Sequence, residues 1–412
     1  MQVFKTVKVK VFNPTRVKET FLDLLIENGK LLNYYVRVMA ERKVVSKTVL
    51  HELTYSELRK SSSLPSALLQ SARDKALEAF KSYLSKKKKG LKVSVPVFSG
   101  GAPVRLDSRT FKIIRTDNKL EFFASVSTCS GRMFVPLLGQ RHQYMYLRKL
   151  LNEELGMACV ELVKRGNDFF FYVVVKREVT IKEPDANSVP VGVDLGLNNV
   201  STSVIWKDKP LSVRFFSGRK SIAVRNHFNE FRKQLMRFKK LWRVKKSKYK
   251  EKCFMQDLNH KVSAVIVKQA LQVKNPVIVL EDLKHIRNRL KSSKKLNGLL
   301  HSWTFSQLQL FIEYKAAWNG IPVVYVSPKF SSQRCNKCGF TSKSNRVGSV
   351  FKCKKCGYEL NADLNAAINL AKTFSSSYMF GEAGNVAMPL TVAVKKRLPK
   401  NVSVVDHGSL RL

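Results

Sequence analysis

The chain has 412 residues, 44% of them hydrophobic, which is enough for two or three domains with their own cores. Its 75 lysine and arginine residues oppose only 30 acidic ones, and the formal charge of +45 predicts a polyanionic partner, nucleic acid before any other. The sequence has no apolar run of about 18 residues, no signal-peptide core and no lipidation motif, which excludes membrane-anchored classes and predicts an intracellular protein.

The first half of the chain predicts a β-rich domain that is interrupted by helices. Alternating valines predict a strand from Gln2 to Phe12, and apolar residues three or four apart predict helices from Thr20 to Met39 and from about Pro65 to a lysine run. Alternation returns after Lys92, with short strands predicted at 93–97, 111–114, 120–126, 158–163 and 169–175. Residues 183–188 have the composition of a linker.

The second half follows an α/β pattern. Two buried strands at 191–195 and 200–206 are predicted to form a hairpin, and a long basic helix follows from Ser221 to about Val273. A short apolar strand is then predicted at 277–280. It is followed by a helix at 303–319, a strand at 321–326 and a helix at 362–372. The last 40 residues show no firm pattern, and residues 376–412 are predicted to form a disordered tail.

Three acidic residues stand where α/β folds place their chemistry. Asp194 lies between two glycines in a strand, Glu281 follows an all-apolar strand, and Asp363 opens a helix. Each has an ordinary alternative, since the first two could be plain strand-end acids and the third could simply favour the helix dipole. Together they predict a site for two Mg²⁺ ions, one to activate water and one to stabilise the leaving oxygen.

Four of the seven cysteines form two matched pairs, Cys335 with Cys338 and Cys353 with Cys356, and a glycine follows each pair. The two residues inside each pair let both thiolates reach one ion, and the 14 residues between pairs allow a short hairpin. An odd cysteine total argues against a disulfide framework. The alternatives are two redox dithiols or an iron–sulfur cluster, but the matched glycines favour one structural zinc, closed to catalysis by four thiolates.

The long basic helix is predicted to bind nucleic-acid backbone, because its charges are almost all positive. A solvated surface is the alternative, but only Glu230 and Glu251 oppose the run. Interleaved apolar residues, Phe228 to Trp242, are expected to pack on one face while the other meets phosphates. The candidate phosphate-binding residues are Arg232, Lys233, Arg237, Lys239, Lys240, Arg243, Lys245 and Lys246.

Taken jointly, the motifs resemble the TnpB family, insertion-sequence-encoded relatives of type V CRISPR nucleases. The resemblance rests on the strand segment 192–196, the segment 279–283, both cysteine pairs and the segment 363–369, and it spans about residues 190 to 373. There are two departures. Asn361 stands where many relatives carry an additional acid, and Phe330-Ser331-Ser332 replaces the commoner Tyr-Thr-Ser.

The resemblance implies an RNase H-like (RuvC) α/β core with an inserted zinc ribbon, behind an N-terminal wedge β-barrel that a helical recognition insert interrupts. It makes Asp194, Glu281 and Asp363 the catalytic acids, and it implies a cytoplasmic, nucleoid-associated protein of a prokaryote. The implied domains are a wedge at 1–15 and 91–184, a recognition insert at 16–90, a RuvC domain at 190–330 and 359–375, and a ribbon at 331–358.

Three functions are compatible with these residues. The leading hypothesis, which the resemblance implies, is a Mg²⁺-dependent endonuclease that a guide RNA from the transposon end directs to double-stranded DNA beside a short target-adjacent motif. A transposase that joins DNA strands would use the same acids. A regulator that binds nucleic acid without cutting would be expected to lack an acid, and none is lost.

Overall fold

The computed structural model describes residues 1–117, 120–283, 305–379 and 386–387, and the chain divides into two compact units. The first is Gln2–Glu178, and the second begins at Val179. The predicted disordered tail lies outside the described residues, apart from its first four positions and the pair 386–387. None of the described helices is long and apolar enough to cross a membrane.

Within the described part of the chain, the first unit has four helices and seven strands. The helices are α1 (Thr15–Arg42), α2 (Lys47–Ser61), α3 (Ser66–Lys88) and α4 (Arg141–Leu151). The strands are β1 (Gln2–Val11), β2 (Val104–Leu106), β3 (Phe111–Arg115), β4 (Phe122–Thr128), β5 (Gly131–Leu138), β6 (Gly156–Arg165) and β7 (Asp168–Glu178).

These strands form an antiparallel sheet in the order β2-β6-β7-β1-β5-β4-β3. Helix α1 buries Phe21 against the sheet, with its ring 5.4 Å from that of Phe169 and 6.0 Å from that of Phe171. The succession of strand, helices and strands agrees with the order predicted from the sequence. Closure of the sheet into a wedge barrel stays a prediction.

The strand predicted at 93–97 is wrong. No described strand pairs with this segment, and Val93, Val95 and Val97 are exposed despite their alternation. Pro96 cannot donate a ladder hydrogen bond, which disfavours a strand within a sheet. The chain is held just beyond it, where the backbone of Phe98 exchanges two 2.8 Å hydrogen bonds with the side chain of Asn33. The sequence also failed to predict the short helices α2 and α4.

The second unit has the α/β pattern that the sequence predicts. Its helices are α5 (Arg219–Arg237), α6 (Leu241–Ala270), α7 (Phe305–Trp318) and α8 (Ala362–Met379). Its strands are β8 (Val189–Asp194), β9 (Asn199–Lys207), β10 (Lys209–Ser217), β11 (Pro276–Glu281), β12 (Val323–Val326), β13 (Arg346–Val347), β14 (Val350–Lys352), β15 (Glu359–Asn361) and β16 (Val386–Ala387). The single basic helix predicted from Ser221 to Val273 is instead two helices, broken where Lys239 takes a positive φ of 52°.

The main sheet of this unit has the order β10-β9-β8-β11-β12-β16. Strands β8, β9 and β10 are antiparallel, whereas β8, β11 and β12 run parallel, which puts β8 at the junction. One face, with Val191 and Val193, packs on apolar residues of α6 and α7. The other face packs on α8, through Val279 with Phe374 and Val204 with Ala367.

A close backbone approach sets the distance between α8 and strand β8. A Cβ atom at Gly192 would lie 2.1 Å from the carbonyl oxygen of Ala367 and 3.1 Å from the Cβ of Ala371. No side chain fits at that distance, so the glycine lets the helix backbone rest directly on the sheet. Asp363 lies one helical turn before Ala367, and its position therefore depends on this contact.

We expect Gly192→Ala to destabilise the second unit by about 1–3 kcal/mol, roughly 2–10 °C in melting temperature, because α8 must move away from the sheet. Scanning calorimetry measures this. The matched control is Gly101→Ala, whose Cβ would meet only Ser99 Oγ, at 4.0 Å. The control should change stability by no more than about 0.5 kcal/mol. Equal melting temperatures for both variants would contradict the close-contact explanation.

Candidate active site and metal centre

The three candidate acids lie on one side of the main sheet, two on its strands and one on the helix that covers it. Glu281 shares a face of β11 with Val279, which packs on α8, and Asp194 shares a face of β8 with Gly192, which contacts the same helix. Asp363 lies in the first turn of α8. Because β8 and β11 are adjacent parallel strands with Val193 opposite Leu280, their final acidic residues end side by side.

All three acids are buried, with exposed fractions of 9% for Asp194, 8% for Glu281 and 5% for Asp363. Burial, then the carboxylate of Glu281, then that of Asp363, raise the pKa of Asp194 well above its usual value, and Arg346 opposes them. Burial also raises the pKa of Glu281, against the effects of the Ser331 hydroxyl and Arg346. Buried like charges of this kind are typical of functional sites and call for a compensating cation.

Several contacts around the acids were not predicted from the sequence. The guanidinium of Arg346 donates to Asp363 Oδ1 at 2.8 Å, and Asn199 donates to Asp363 Oδ2 at 2.8 Å. The hydroxyl of Ser331 donates to Glu281 Oε1 at 2.7 Å. Arg346 and Ser331 both come from the inserted cysteine-rich segment, so that segment contributes directly to the environment of the acids. The one sequence signal for this role of Arg346 and Ser331 is that both lie close to the paired cysteines along the chain.

The carboxylates of Glu281 and Asp363 are close enough to raise the pKa of Asp194, but the oxygen atoms of the three acids are not placed to share one ion. Among the described histidine, cysteine and acidic residues, the four paired cysteines are the one group of three or more placed to share an ion. Asp363 is engaged by Arg346 instead. Carboxylate oxygens nevertheless suit a hard divalent ion such as Mg²⁺, so the donor set fits that metal chemically.

The helix that carries Asp363 also anchors the inserted segment. Asn365 accepts a 3.2 Å hydrogen bond from the backbone of Asn336 and donates to the carbonyl of Arg334 at 2.9 Å. Four residues later, on the same helix face, Asn369 donates to the carbonyl of Arg334 at 2.7 Å. Asn361, one of the two departures from the family pattern, caps the helix by accepting from the amide of Asp363 at 3.0 Å. The segment 361–369 therefore links the acids to the cysteines.

The four paired cysteines could hold a metal ion. Their sulfur atoms all lie within 4.8 Å of one another, with Cys335 to Cys356 at 3.8 Å and Cys338 to Cys353 at 3.5 Å. Four thiolates at about 2.3 Å around a tetrahedral zinc would be about 3.8 Å apart, close to these values. Strands β13, β14 and β15 form the small antiparallel sheet of this ribbon.

Each cysteine pair is closed by a tight turn that its glycine allows. The amide of Gly339 donates to the carbonyl of Cys335 at 3.0 Å, and Gly357 does the same to Cys353. Both glycines have positive φ, 77° and 69°. Burial tends to raise the pKa of Cys353, but the amides of Cys356 and Lys355, together with the side chains of Cys338 and Cys356, lower it to about 6, which favours the metal-binding thiolate.

The predicted phosphate-binding residues differ in their availability. Arg232 is half-buried and paired with Glu251, and Lys233 forms a 2.7 Å ion pair with Glu230. The others are exposed around the break between α5 and α6: Arg237, Lys239, Lys240, Arg243, Lys245 and Lys246. The apolar residues between them were expected to pack, but of Leu235, Phe238 and Trp242 only Leu235 is buried.

Comparison with known proteins gives three consistent findings. The family model for the TNB domain of Cas12f1-like proteins matches residues 305–370. A TnpB-like protein of Methanocaldococcus jannaschii is 30% identical over 229 residues, which cover 52% of this chain and 81% of that protein. The CRISPR-associated endodeoxyribonuclease Cas12f1 of Sulfoacidibacillus thermotolerans is 26% identical over 357 residues, covering 80% of this chain and 82% of that one.

The fold is also similar to that of a solved structure. Cas12f1 in complex with sgRNA and target DNA superposes with a TM-score of 0.62 at 17% identity, covering 87% of this chain and 83% of that one. At this identity the likeness concerns the fold. Together with the family-model match at 305–370, it supports the α/β core with an inserted ribbon that the sequence predicts.

We expect the purified protein to contain about one tightly bound metal ion, and Cys353→Ser to lose it, because three remaining thiolates hold the ion far less well. Elemental analysis of dialysed protein measures this. Cys253→Ser is the matched control, since Cys253 lies on α6 outside the quartet, and its metal content should stay at the wild-type level. A Cys353→Ser protein with undiminished metal would rule out the four-cysteine site.

Proposed function

The chain belongs to the TnpB family, and from this membership and its buried acids we propose that it is an RNA-guided endonuclease that cleaves double-stranded DNA. The observation that carries the proposal is the convergence of Asp194, Glu281 and Asp363 on the α8 side of one sheet. The names of its relatives support the guide RNA and the DNA target: an endodeoxyribonuclease, and a Cas12f1 complex with sgRNA and target DNA.

We assign the three acids as ligands of two Mg²⁺ ions. Such ions would supply an activated water and stabilise the leaving oxygen of the cut phosphodiester. The carboxylates of Glu281 and Asp363 both repel that of Asp194, so a cation bound beside Asp194 would relieve this repulsion. Asp363 is ion-paired with Arg346 and would have to give up this pair to serve as a ligand.

The remaining parts have roles that the family resemblance suggests. We propose that the cysteine ribbon holds one structural zinc, which fixes Arg346 and Ser331 beside the acids. The antiparallel sheet of the first unit would be the wedge, and helices α1 to α3 the recognition insert. Together they would hold a guide RNA from the transposon end and recognise a short target-adjacent motif. The large positive charge supports binding of both nucleic acids.

We expect Asp194→Ala to lower the rate of guided DNA cleavage in Mg²⁺ at least a hundredfold, because a metal ligand is lost, and to leave the affinity for guide RNA within about twofold. A plasmid cleavage assay and a filter-binding assay measure the two quantities. Asp257→Ala is the control, since its one ion pair among the described residues is a surface pair with Lys261. Its cleavage rate should be that of the wild type.

The same assay separates the other functions. Joined DNA strands among the wild-type products would identify a transposase, and a gel shift without cut or joined products would identify a regulator. Guided cleavage that persists in Asp194→Ala would remove this residue from the catalytic site.

A further inference from the structure

The break between α5 and α6 exposes a group of large apolar side chains, which we call the hairpin tip (residues 236–243). Phe238 is 70% exposed, Trp242 62%, Leu241 59% and Met236 56%. Scattered exposed apolar residues are ordinary, but four within eight residues, two of them aromatic, form a patch of the kind that marks an interaction site. Sequence periodicity predicted packing here, so the exposure is unexpected.

The charge around the hairpin tip restricts its partner. Every charged residue from Arg237 to Lys250 is cationic. The flanking acids, Glu230 and Glu251, are already ion-paired, with Lys233 and Arg232. A second copy of the same surface would be repelled by this charge, whereas a polyanion would be attracted. The patch therefore fits a partner that combines apolar flat surfaces with negative charge.

The aromatic rings and the cations are arranged together. Lys240 Nζ lies 5.6 Å from the centroid of the Phe238 ring, and Arg243 Cζ lies 5.2 Å from that of Trp242. Proteins that bind single strands combine such rings, on which bases stack, with cations that follow the phosphates. A duplex hides its base faces within the stack, so exposed rings favour unpaired nucleotides over a double helix.

We propose that the hairpin tip binds an unpaired stretch of nucleic acid, with bases stacked on Phe238 and Trp242 and phosphates paired with the neighbouring cations. This inference rests on the proposed function, which requires nucleic acid to be bound and DNA strands to be separated during recognition. It adds a binding site that is distinct in the chain from the three acids and from the cysteine ribbon.

The test is binding of the full-length protein to a labelled single-stranded oligonucleotide and to a duplex of the same length, at fixed salt. We expect Trp242→Ala to weaken single-strand binding by about fivefold to 150-fold and duplex binding by less than twofold, because stacking contributes only to unpaired bases. Trp242→Phe should recover most of the affinity. Leu241→Ala, which removes exposed apolar area but no ring, should bind like the wild type.

An equal loss for both nucleic acids, or an equal loss in Leu241→Ala, would overturn the stacking role. A fall in oligomeric state by sedimentation in Trp242→Ala would assign the tip to a second copy of the chain and would also overturn it. Guided cleavage by the wild-type protein distinguishes failure of the hairpin-tip inference from failure of the proposed function. If cleavage is present and Trp242→Ala binds single strands normally, only the hairpin-tip inference fails.

A second inference comes from an independent observation on strand β9. Thr202 is fully buried, and none of the described residues forms a hydrogen bond with its hydroxyl. It pairs directly with Asp194 across β8 and β9, so the two side chains lie next to each other on the same face. The hydroxyl of Ser201 likewise has no partner in the described part of the chain, but its side chain points to the opposite face. Thr202 is therefore distinguished by its position beside Asp194.

We infer that Thr202 is a positioning residue, whose hydroxyl would hydrogen-bond the neighbouring Asp194 carboxylate and orient it when a divalent cation is bound. A buried hydroxyl without a partner destabilises a fold, so its presence beside a charged ligand indicates a functional use. Partners that orient a metal ligand typically contribute tenfold to a hundredfold in metal affinity. The role rests on the proposed assignment of Asp194 as a metal ligand.

The test compares Thr202→Val, which keeps the shape but removes the hydroxyl, with Thr202→Ser, which keeps the hydroxyl. We expect the valine variant to bind Mn²⁺ about tenfold to a hundredfold more weakly by calorimetric titration, while its melting temperature equals or exceeds that of the wild type. The serine variant should bind Mn²⁺ normally. Unchanged Mn²⁺ affinity in the valine variant would overturn the inference, whereas absence of Mn²⁺ binding in the wild type would overturn the metal assignment itself.

Discussion

The contact between Gly192 and the backbone of Ala367 determines how closely helix α8 approaches the central sheet, and the site depends on that distance. The same helix carries Asp363 at its start and anchors the cysteine ribbon through Asn365 and Asn369. This one close contact between two backbones therefore fixes the relative positions of the sheet, Asp363 and the ribbon. A larger residue at 192 would displace all three elements together, not one side chain.

The distribution of charge around the three acids follows from this geometry. Burial and two neighbouring carboxylates raise the pKa of Asp194, and Arg346 of the ribbon compensates part of the negative charge by pairing with Asp363. Such an arrangement is costly for stability alone, because buried like charges repel and their desolvation is unfavourable. It is consistent with a site in which some folding stability is lost in return for the ability to bind cations. Because Arg346 contacts Asp363, the ribbon is part of this site as well as a structural attachment.

The sequence predicted those features that depend on local pattern. Cysteine spacing predicted the quartet, and strand alternation correctly put Gly192 and Asp194 on the face opposite Val193. Features that depend on tertiary partners were missed. The pairing of Arg346 with Asp363 leaves no periodic signal in the sequence. The alternating valines of 93–97 predicted a strand, but no strand in the described residues pairs with them. Helical spacing predicted that Trp242 would pack, but nothing described covers it.

The central claim is that Asp194, Glu281 and Asp363 together bind divalent cations. Anomalous scattering from a crystal of the protein equilibrated with Mn²⁺ tests it most directly, because the signal locates the metal independently of any activity. We expect Mn²⁺ within coordination distance of all three carboxylates, with Asp363 separated from Arg346. A crystal that takes up Mn²⁺ elsewhere but shows none among these acids, with Asp363 still paired to Arg346, would contradict the claim.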